Sequence, residues 1–286
     1  MSSAVQPHGR KGEKPFSPFL FFVTISSTLL VVFAVLASVF PTVWKKQFDT
    51  PFWTLLAVFC CVHLANSFAE FFFHRYVLHA HPIRFLKHFN TQHELHHGLT
   101  SVWPLRRGED GEGAQLVVVS KYPIEKKHQY EASYFPWFSL AVFIAVASPV
   151  LALAQWILPH APVMLGGILA IAWSMSLYEL IHAVEHWSFD GFWKAKITHP
   201  RFGKFWKSVY GFHVRHHATN LCNESVSGFF GIPIPDFLFG TYVVSRVVLY
   251  NGVEAEPKDF SPPKPRRPIV LLDSLSARME KKQATK

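Results

Sequence analysis

Long uncharged runs constrain the fold of this chain more than any other feature. Residues 15–44 contain no Asp, Glu, Lys or Arg, and none occurs between Glu131 and Glu179. A helix needs about 20 apolar residues to span a bilayer, so the first run predicts one membrane span. At ~1.5 Å per residue, the second run is too long for a single crossing. Charged residues make up only 16% of the chain, so we predict an integral membrane protein rather than a soluble one.

The apolar runs divide into four predicted spans. Pro159, Pro162 and the Gly166-Gly167 pair mark a break in the longest run. The first run is too long for the core of a signal peptide, so it is expected to be retained in the protein. We predict an all-α integral membrane fold with a helical cap and with spans near residues 17–40, 52–73, 134–157 and 163–181.

The distribution of basic residues predicts the orientation. Of the 28 Lys and Arg residues, all but Lys45 and Lys46 fall in segments that four spans would place on one side. The positive-inside rule makes that side the cytosol. The net charge of +9 therefore reflects topology and does not indicate a nucleic-acid partner. The predicted layout is a cytosolic tail at 1–14, a membrane domain at 15–250 and a cytosolic Pro-rich, charged tail at 251–286. The membrane would be the endoplasmic reticulum in a eukaryote or the inner membrane in a bacterium.

Most of the 17 histidines lie in two windows, each after two predicted spans. Each window contains a spaced pair and then an HxxHH triplet. Buried imidazoles need partners for their nitrogens, so packing alone does not account for the set, and imidazole is a ligand for iron, zinc, copper or nickel. One zinc site uses three or four ligands, so the set indicates two metals. The pairs are His74/His79 and His182/His186, and the triplets are His93/His96/His97 and His213/His216/His217.

Helical spacing predicts how these rings are presented. Residues three and four apart share a helix face, so each triplet is expected to direct its imidazoles to one side. His74 and His79 are five apart, so they either bind different metals or the helix breaks after Arg75. Metal-bound histidines usually donate their other N–H to a carboxylate or carbonyl. The carboxylate candidates for this role are Glu70, Glu94, Glu179 and Glu185, whereas His81, His88 and His199 lie outside the repeated spacing.

Three further segments surround the windows. Residues 98–131 separate the halves, and their polar, Gly-rich centre at 106–113 predicts a surface loop. Residues 232–250 are apolar but broken by Pro233, Pro235 and Gly240, which predicts a membrane-surface segment covering the site. The tail beyond Asn251 is expected to be largely extended, with a short helix at 273–282.

These motifs resemble the fatty acid hydroxylase superfamily of membrane non-haem iron enzymes, which includes sterol desaturases. The resemblance covers roughly residues 50–245, and Gly228-Phe-Phe-Gly-Ile232 and Asp236-Phe-Leu-Phe-Gly-Thr241 are similar to the closing stretch of the family. The sequences similar to the histidine boxes of its fatty acid 2-hydroxylase branch are His74-Arg-Tyr-Val-Leu-His79, Gln92-His-Glu-Leu-His-His97, Tyr178-Glu-Leu-Ile-His182-Ala-Val-Glu-His186 and Phe212-His-Val-Arg-His-His217.

The resemblance implies a membrane-bound hydroxylase. The histidines of the pairs and triplets would bind two iron ions, for which zinc can substitute in preparations. The centre would activate O2 and insert oxygen into a C–H bond of a fatty acyl or related hydrophobic lipid. The chain has no room for a fused cytochrome domain, so electrons would come from a separate b-type cytochrome or a ferredoxin with its reductase. No catalytic residue beyond the metal ligands is predicted.

Other functions share parts of this pattern. A sterol or lipid desaturase would use the same centre, and residues 217–229 resemble a carotenoid hydroxylase motif. A membrane metal-binding or transport protein is a different class, but transporters place their ligands at the bilayer midplane, whereas these histidines follow the spans. His182-Ala-Val-Glu-His186 also matches the HxxEH pattern of inverted zinc proteases, which leaves the other histidines unexplained.

Overall fold

Four long apolar helices dominate the architecture. The computed structural model describes residues 17–108 and 115–285, so the predicted tail at 1–14 lies outside the described residues. The described part is mostly helical, and the four helices long and apolar enough to span a membrane confirm the predicted number of spans. They are Pro18–Val39, Phe52–Leu78, Ser139–Ile157 and Val163–Glu185.

The remaining elements extend the second and fourth spans and connect the halves. In the first half the elements are α1 (Pro18–Val39), α2 (Pro41–Lys46), α3 (Phe52–Phe73), a π-helix (His74–Leu78), a 3-10 turn (Arg84–Leu86) and α4 (Lys87–Leu99). The middle of the chain forms β1 (Val102–Arg107), β2 (Gln115–Ser120), α5 (Lys127–Ser133), α6 (Ser139–Ile157) and α7 (Val163–Glu185). The last part forms a second π-helix (Phe189–Trp193), α8 (Lys194–Ile197), α9 (Gly203–Ala218), α10 (Ile234–Phe239), a 3-10 turn (Pro257–Phe260) and α11 (Arg267–Ala284).

Close helix packing involves the glycine pair of α7. Gly166 and Gly167 were expected to mark the break between spans, but they lie inside α7, and the break falls at residues 158–162. A Cβ on Gly166 would lie 2.8 Å from Val58 Cγ1, and one on Gly167 would lie 2.6 Å from Leu151 Cδ2. Small residues let membrane helices approach each other closely. The glycines therefore bring α7 against both α3 and α6.

The insertion between the halves departs from the all-helical prediction. Strands β1 and β2 form an antiparallel hairpin in which Val102 pairs with Ser120. Val118 and Tyr122 are fully buried in a second core that also contains Tyr210 and Val214 of α9. Three consecutive valines at 117–119 favour a strand because β-branched side chains pack well on a pleated surface. The predicted surface loop is therefore partly an ordered platform beside α9.

The C-terminal tail is also more ordered than predicted. Glu254 forms a bridge with Val117 of the hairpin. Helix α11 has 18 residues and begins with Pro268 in its first turn. This position suits proline because the first turn leaves its N–H groups without intrahelical partners. The tail therefore packs on the body of the protein and is largely helical after residue 266.

Candidate metal centre

Ten buried or half-buried histidines form two groups at the ends of α3 and α7. Within each group, one ring nitrogen from each residue lies within 4.8 Å of the others. These are all ten histidines that the sequence analysis named as ligands. Site A consists of His74, His79, His93, His97 and His216, and site B consists of His96, His182, His186, His213 and His217.

The two HxxHH triplets are each divided between the sites. On α4, His93 and His97 belong to site A and His96 to site B. At about 100° per residue, His97 lies about 40° from His93 around the helix, and His96 lies about 60° from it in the other direction. Helix α9 repeats the arrangement, with His216 in site A. Each triplet therefore spans two adjacent metal positions, whereas the sequence predicted only one shared face.

A π-helix brings the first histidine pair into one site. The His79 backbone N–H donates to the His74 carbonyl at 3.0 Å, a bond between residues five apart. This wider turn places residues i and i+5 on one face. The spacing of five in the sequence predicts either two different metals or a helix break after Arg75. The structure has neither, and both rings belong to site A.

Backbone carbonyls fix the orientation of four rings. In site A, the Nδ1–H groups of His74 and His216 donate to the carbonyls of Glu224 at 2.6 Å and Cys222 at 2.7 Å. In site B, the Nδ1–H groups of His186 and His217 donate to the carbonyls of Tyr122 at 2.7 Å and Thr100 at 3.1 Å. A neutral imidazole whose Nδ1 donates presents a lone pair on Nε2. These four rings therefore direct acceptor nitrogens into the sites.

A side chain fixes a fifth ring. The Ser133 hydroxyl donates to the Gln129 carbonyl, so its oxygen is free to accept from His96 Nδ1 at 2.7 Å. His96 Nε2 then faces His182 Nε2 at 3.2 Å. Several lone pairs directed at one point repel each other unless a cation binds them. The donor set therefore fits a metal ion in each site.

The nitrogen separations fit one metal ion in each site. In site A, His74 Nε2 lies 3.0 Å from His93 Nε2, which lies 3.1 Å from His97 Nε2. In site B, His213 Nε2 lies 3.2 Å from the Nε2 atoms of His186 and His217. At ~2.1 Å from a shared metal, two nitrogens lie ~3.0 Å apart for a 90° angle and ~3.4 Å apart for a tetrahedral angle. The five nitrogens of each site are therefore close enough together to bind one ion.

Burial keeps these histidines neutral. Burial lowers the pKa of His213, His216 and His217 well below the usual 6.5, and the neighbouring imidazoles lower it further. Burial also lowers the pKa of His186 to about 3. Only a neutral imidazole can donate a lone pair to a metal. The rings are therefore available as ligands at neutral pH.

Of the four predicted carboxylate partners, one faces a ligand ring. Glu185 Oε2 lies 3.7 Å from His213 Nδ1, not beside His186. Glu179 instead accepts the Phe135 backbone N–H at 2.9 Å. Glu94 is exposed and accepts from the Asn90 amide at 3.3 Å. Glu70 accepts the backbone N–H groups of residues 227 and 228, so it anchors a loop rather than His74.

The loop after α9 supplies contacts that the sequence analysis did not identify. Its Glu224 carbonyl and carboxylate bind His74 and Arg75, with Arg75 Nη1 donating to Glu224 Oε1 at 2.9 Å. The Asp236 carboxylate accepts the backbone N–H groups of Glu224 and Ser225, each at 2.9 Å. Asn223 has a φ of 57°, in the left-handed region that Asn tolerates. The sequence signal was that Glu224 and Asp236 are the only acidic residues between Asp190 and Glu254.

Polar residues inside the membrane hold the same loop. His63 Nε2 accepts the Phe230 backbone N–H at 3.0 Å, while His63 Nδ1 lies 2.8 Å from Ser174 Oγ. Phe230 is half exposed, and its ring lies 4.6 Å from the His63 ring. Intramembrane ionisable residues usually have such a partner. His63 and Glu70 therefore fix residues 227–230 against α3 beside the metal sites.

The other histidines of the windows are not ligands of either site. His81 Nδ1 lies 3.8 Å from Glu280, and His88 is exposed on α4. His199 Nδ1 accepts the backbone N–H groups of Arg201 and Phe202 at 3.2 and 3.1 Å. The repeated spacing in the sequence therefore distinguished the ten histidines of the two sites from the other histidines in the same windows.

Comparisons with known proteins identify no relative of this chain. No protein-family model, curated protein or solved structure matches the chain. The described part of the chain has four helices long and apolar enough to span a membrane, and two histidine groups that could each hold a metal ion.

Proposed function

We propose that this protein is a membrane-bound, oxygen-dependent lipid hydroxylase whose two histidine sites each hold one iron ion. The observation that carries the proposal is the pair of five-histidine groups at the ends of two apolar spans. The resemblance of the histidine motifs to the fatty acid hydroxylase superfamily supports it. When bound, the two irons activate O2, so that one oxygen atom enters a C–H bond and the other leaves as water after uptake of two electrons and two protons.

The residues of the chain supply orientation and an apolar surface for this reaction. Carbonyls of residues 222 and 224 hold His216 and His74 in site A, and those of residues 100 and 122 hold His217 and His186 in site B. His79 and His93 are only half buried, so site A is the more accessible site. We assign this side to the entry of substrate. All ligands are neutral imidazoles, so the bound ions keep their full positive charge.

The position of the sites favours a lipid substrate. Phe229 and Phe230 lie on the loop that Glu70 and His63 hold against α3. Phe239 lies beside the half-buried Phe68 and Phe72 of the same span, at ring separations of 6.1 and 5.6 Å, and continues the aromatic surface along it. A chain sliding from the bilayer would meet this surface on its way to the histidines. Electrons would come from a separate redox protein on the cytosolic side.

The testing experiment compares lipids from cells that produce the intact protein, His96→Ala or His88→Ala. His88 lies on the same helix as His96 but is exposed, so it is the matched control. We expect lipids that gain one oxygen with the intact protein and with His88→Ala, and none with His96→Ala. Two irons per purified intact chain should accompany this result, measured by elemental analysis.

The same experiment separates the alternatives. Lipids that lose two hydrogens would assign a desaturase, and an oxygenated isoprenoid would assign a carotenoid hydroxylase. Unchanged lipids in cells supplied with a redox partner, together with metal uptake across the membrane, would reject the enzyme in favour of a transport protein.

A further inference from the structure

Helix α11 has an inverted distribution of polar and apolar side chains. Its apolar residues point away from the protein, with exposed fractions of 70% for Leu271, 53% for Leu275 and 40% for Met279. The face packed on the protein is mostly polar and consists of Ile269, Asp273, Ser276, Glu280 and Gln283. A helix on a water-exposed surface has the opposite arrangement. The exposed face of α11 therefore needs an apolar partner.

The inward face fixes where this partner lies. Asp273 accepts two hydrogen bonds from Arg75, at 2.8 and 2.7 Å, and one from the Tyr76 hydroxyl at 2.9 Å. Glu280 accepts the His81 backbone N–H at 2.6 Å. Residues 75–81 are the end of the second membrane span, Phe52–Leu78, and the residues just after it. Helix α11 therefore lies at the level where that span leaves the membrane.

Neighbouring elements carry apolar surface at the same level. Phe85 and Phe89 are 81% and 45% exposed. The Phe89 ring lies 5.9 Å from that of Phe73, the last residue of α3. The exposed apolar surface of α11 therefore lies at the same level as the end of the second span and the start of α4.

The charges of α11 match a negatively charged surface. Its two acidic residues, Asp273 and Glu280, are engaged with the body of the protein. Its basic residues are exposed: Arg267, Arg278, Lys281 and Lys282. At about 100° per residue, Leu271, Leu275 and Met279 cover an arc of about 80°. Arg278 lies about 20° outside the Leu271 edge of this arc, and Lys282 follows Met279 at the C-terminal end of the helix. Long basic side chains beside an apolar face reach lipid headgroups while their stems stay on apolar surface.

We propose that α11 lies in the plane of the membrane surface, with Leu271, Leu275 and Met279 among acyl chains and its basic residues on anionic lipid headgroups. The proposal rests on the four spans and not on the catalytic function. Its occupant is lipid, because the helix is fixed beside the end of a span and its free charges are all positive.

The first test places one fluorescent label on the full-length protein in lipid nanodiscs that hold one chain each. Leu275→Cys reports on the apolar face, and Ser274→Cys is its exposed neighbour about 100° away. Cys60→Ala and Cys61→Ala remove the native thiols of α3, while Cys222 is fully buried and stays. We expect nitroxide lipids to quench the label at residue 275 several-fold more strongly than the label at residue 274. Aqueous iodide should give the opposite result and quench the label at residue 274 several-fold more strongly.

Either of two outcomes overturns the proposal. Equal quenching of both labels by iodide would mean that the face is in water. Protection of residue 275 from iodide in vesicles at high protein density but not in the single-chain nanodiscs, without quenching by lipid nitroxides, would assign the face to a second copy of this chain. Both readouts are independent of metal and activity, so they also hold for a variant that has lost its metal ions.

A second test addresses the charges. Vesicles of phosphatidylcholine alone are compared with a phosphatidylcholine–phosphatidylglycerol mixture, using the Leu275→Cys label. Anionic lipid should increase nitroxide quenching of the native helix, but not when Arg278, Lys281 and Lys282 are all changed to Gln. Equal quenching in both vesicles for the native helix would overturn the role assigned to the basic residues.

Discussion

Sites A and B have the same number of histidines but different supports. The five histidines of site B are buried, whereas His79 and His93 of site A are only half-buried. The loop after α9 orients His74 and His216 of site A. The segment from residue 100 to residue 133 orients rings of site B through Thr100, Tyr122 and Ser133. Two chemically similar sites therefore depend on different parts of the chain, and one of them is more accessible than the other.

The two histidine windows contribute unequally to the two sites. The first histidine window supplies four ligands to site A and one to site B, and the second window supplies one and four. Each site thus needs both halves of the chain. Neither half can form a complete site alone, so the sites should assemble only when α4 and α9 pack against each other.

Removal of one ligand should have the largest effect and should separate the two sites. His96→Ala is expected to empty site B, and His216→Ala is expected to empty site A. Metal content should fall from about two ions to about one ion per chain, since each site has its own five ligands. Both variants should lose turnover and keep membrane insertion. Elemental analysis of purified protein measures the first effect, and full activity in both variants would remove the metal-centre interpretation.

Acidification should destabilise the metal-free protein and release metal from the more accessible site first. Burial holds the pKa of His186 at about 3 in the folded chain, against 6.5 in the unfolded chain. The unfolded state then binds more protons between these values, so stability is complete above about pH 6.5 and falls as the pH decreases below it. Each such histidine contributes at most about 1.4 kcal/mol per pH unit.

Thermal unfolding of metal-free protein between pH 7 and pH 5 measures this loss. Metal analysis over the same range should show site A emptying at a higher pH than site B, because protons and water reach the half-buried His79 and His93 more easily than the buried histidines of site B. His96→Ala is expected to hold metal only in site A, and His216→Ala only in site B. Measuring metal release from each variant therefore assigns it to one site. Release from both sites at one pH would mean that the difference in burial has no energetic consequence.

Loss of the buried Arg75 ion pair should weaken site A more than site B. Arg75 and Glu224 are 2% and 0% exposed, and removal of one member of a buried pair typically costs about 3–5 kcal/mol. Arg75→Met should therefore lower the free energy of unfolding by this amount and loosen His74, which the Glu224 carbonyl holds. Denaturant titration and metal analysis test the prediction. Arg84→Met, an exposed change nearby, is the control and should leave both unchanged.

Loss of one hydrogen bond in site B should have the smallest effect. Ser133→Ala removes the acceptor of His96 Nδ1–H, and such partners are typically worth about 10–100-fold in metal affinity. Competition with a chelator should show weaker binding in site B and unchanged binding in site A. Ser208→Ala, which removes an exposed hydroxyl of α9, should leave both affinities unchanged. A loss in site A instead would contradict the assignment of Ser133 to site B.

Much of the fold was predictable because it follows from local composition. The four spans follow from uncharged runs, and their ends fall near the predicted positions. The hairpin at 102–120 was missed because its Gly-rich tip suggested a loop, although the valines at 117–119 favour a strand. The length of α11 was missed because its apolar residues face outward, a pattern that does not predict packing on the protein.

The sequence by itself identified the ten histidines of the two groups and the four apolar helices, because imidazole spacing and apolar length are local properties of the chain. Only the tertiary structure decided which histidines share a site. That division depends on the π-helix at His74–Leu78 and on the way α4 and α9 face each other. It also decided which groups hold the rings, since carbonyls of residues 100, 122, 222 and 224 do so. Every residue has a carbonyl, so only its position in space can select it as a partner.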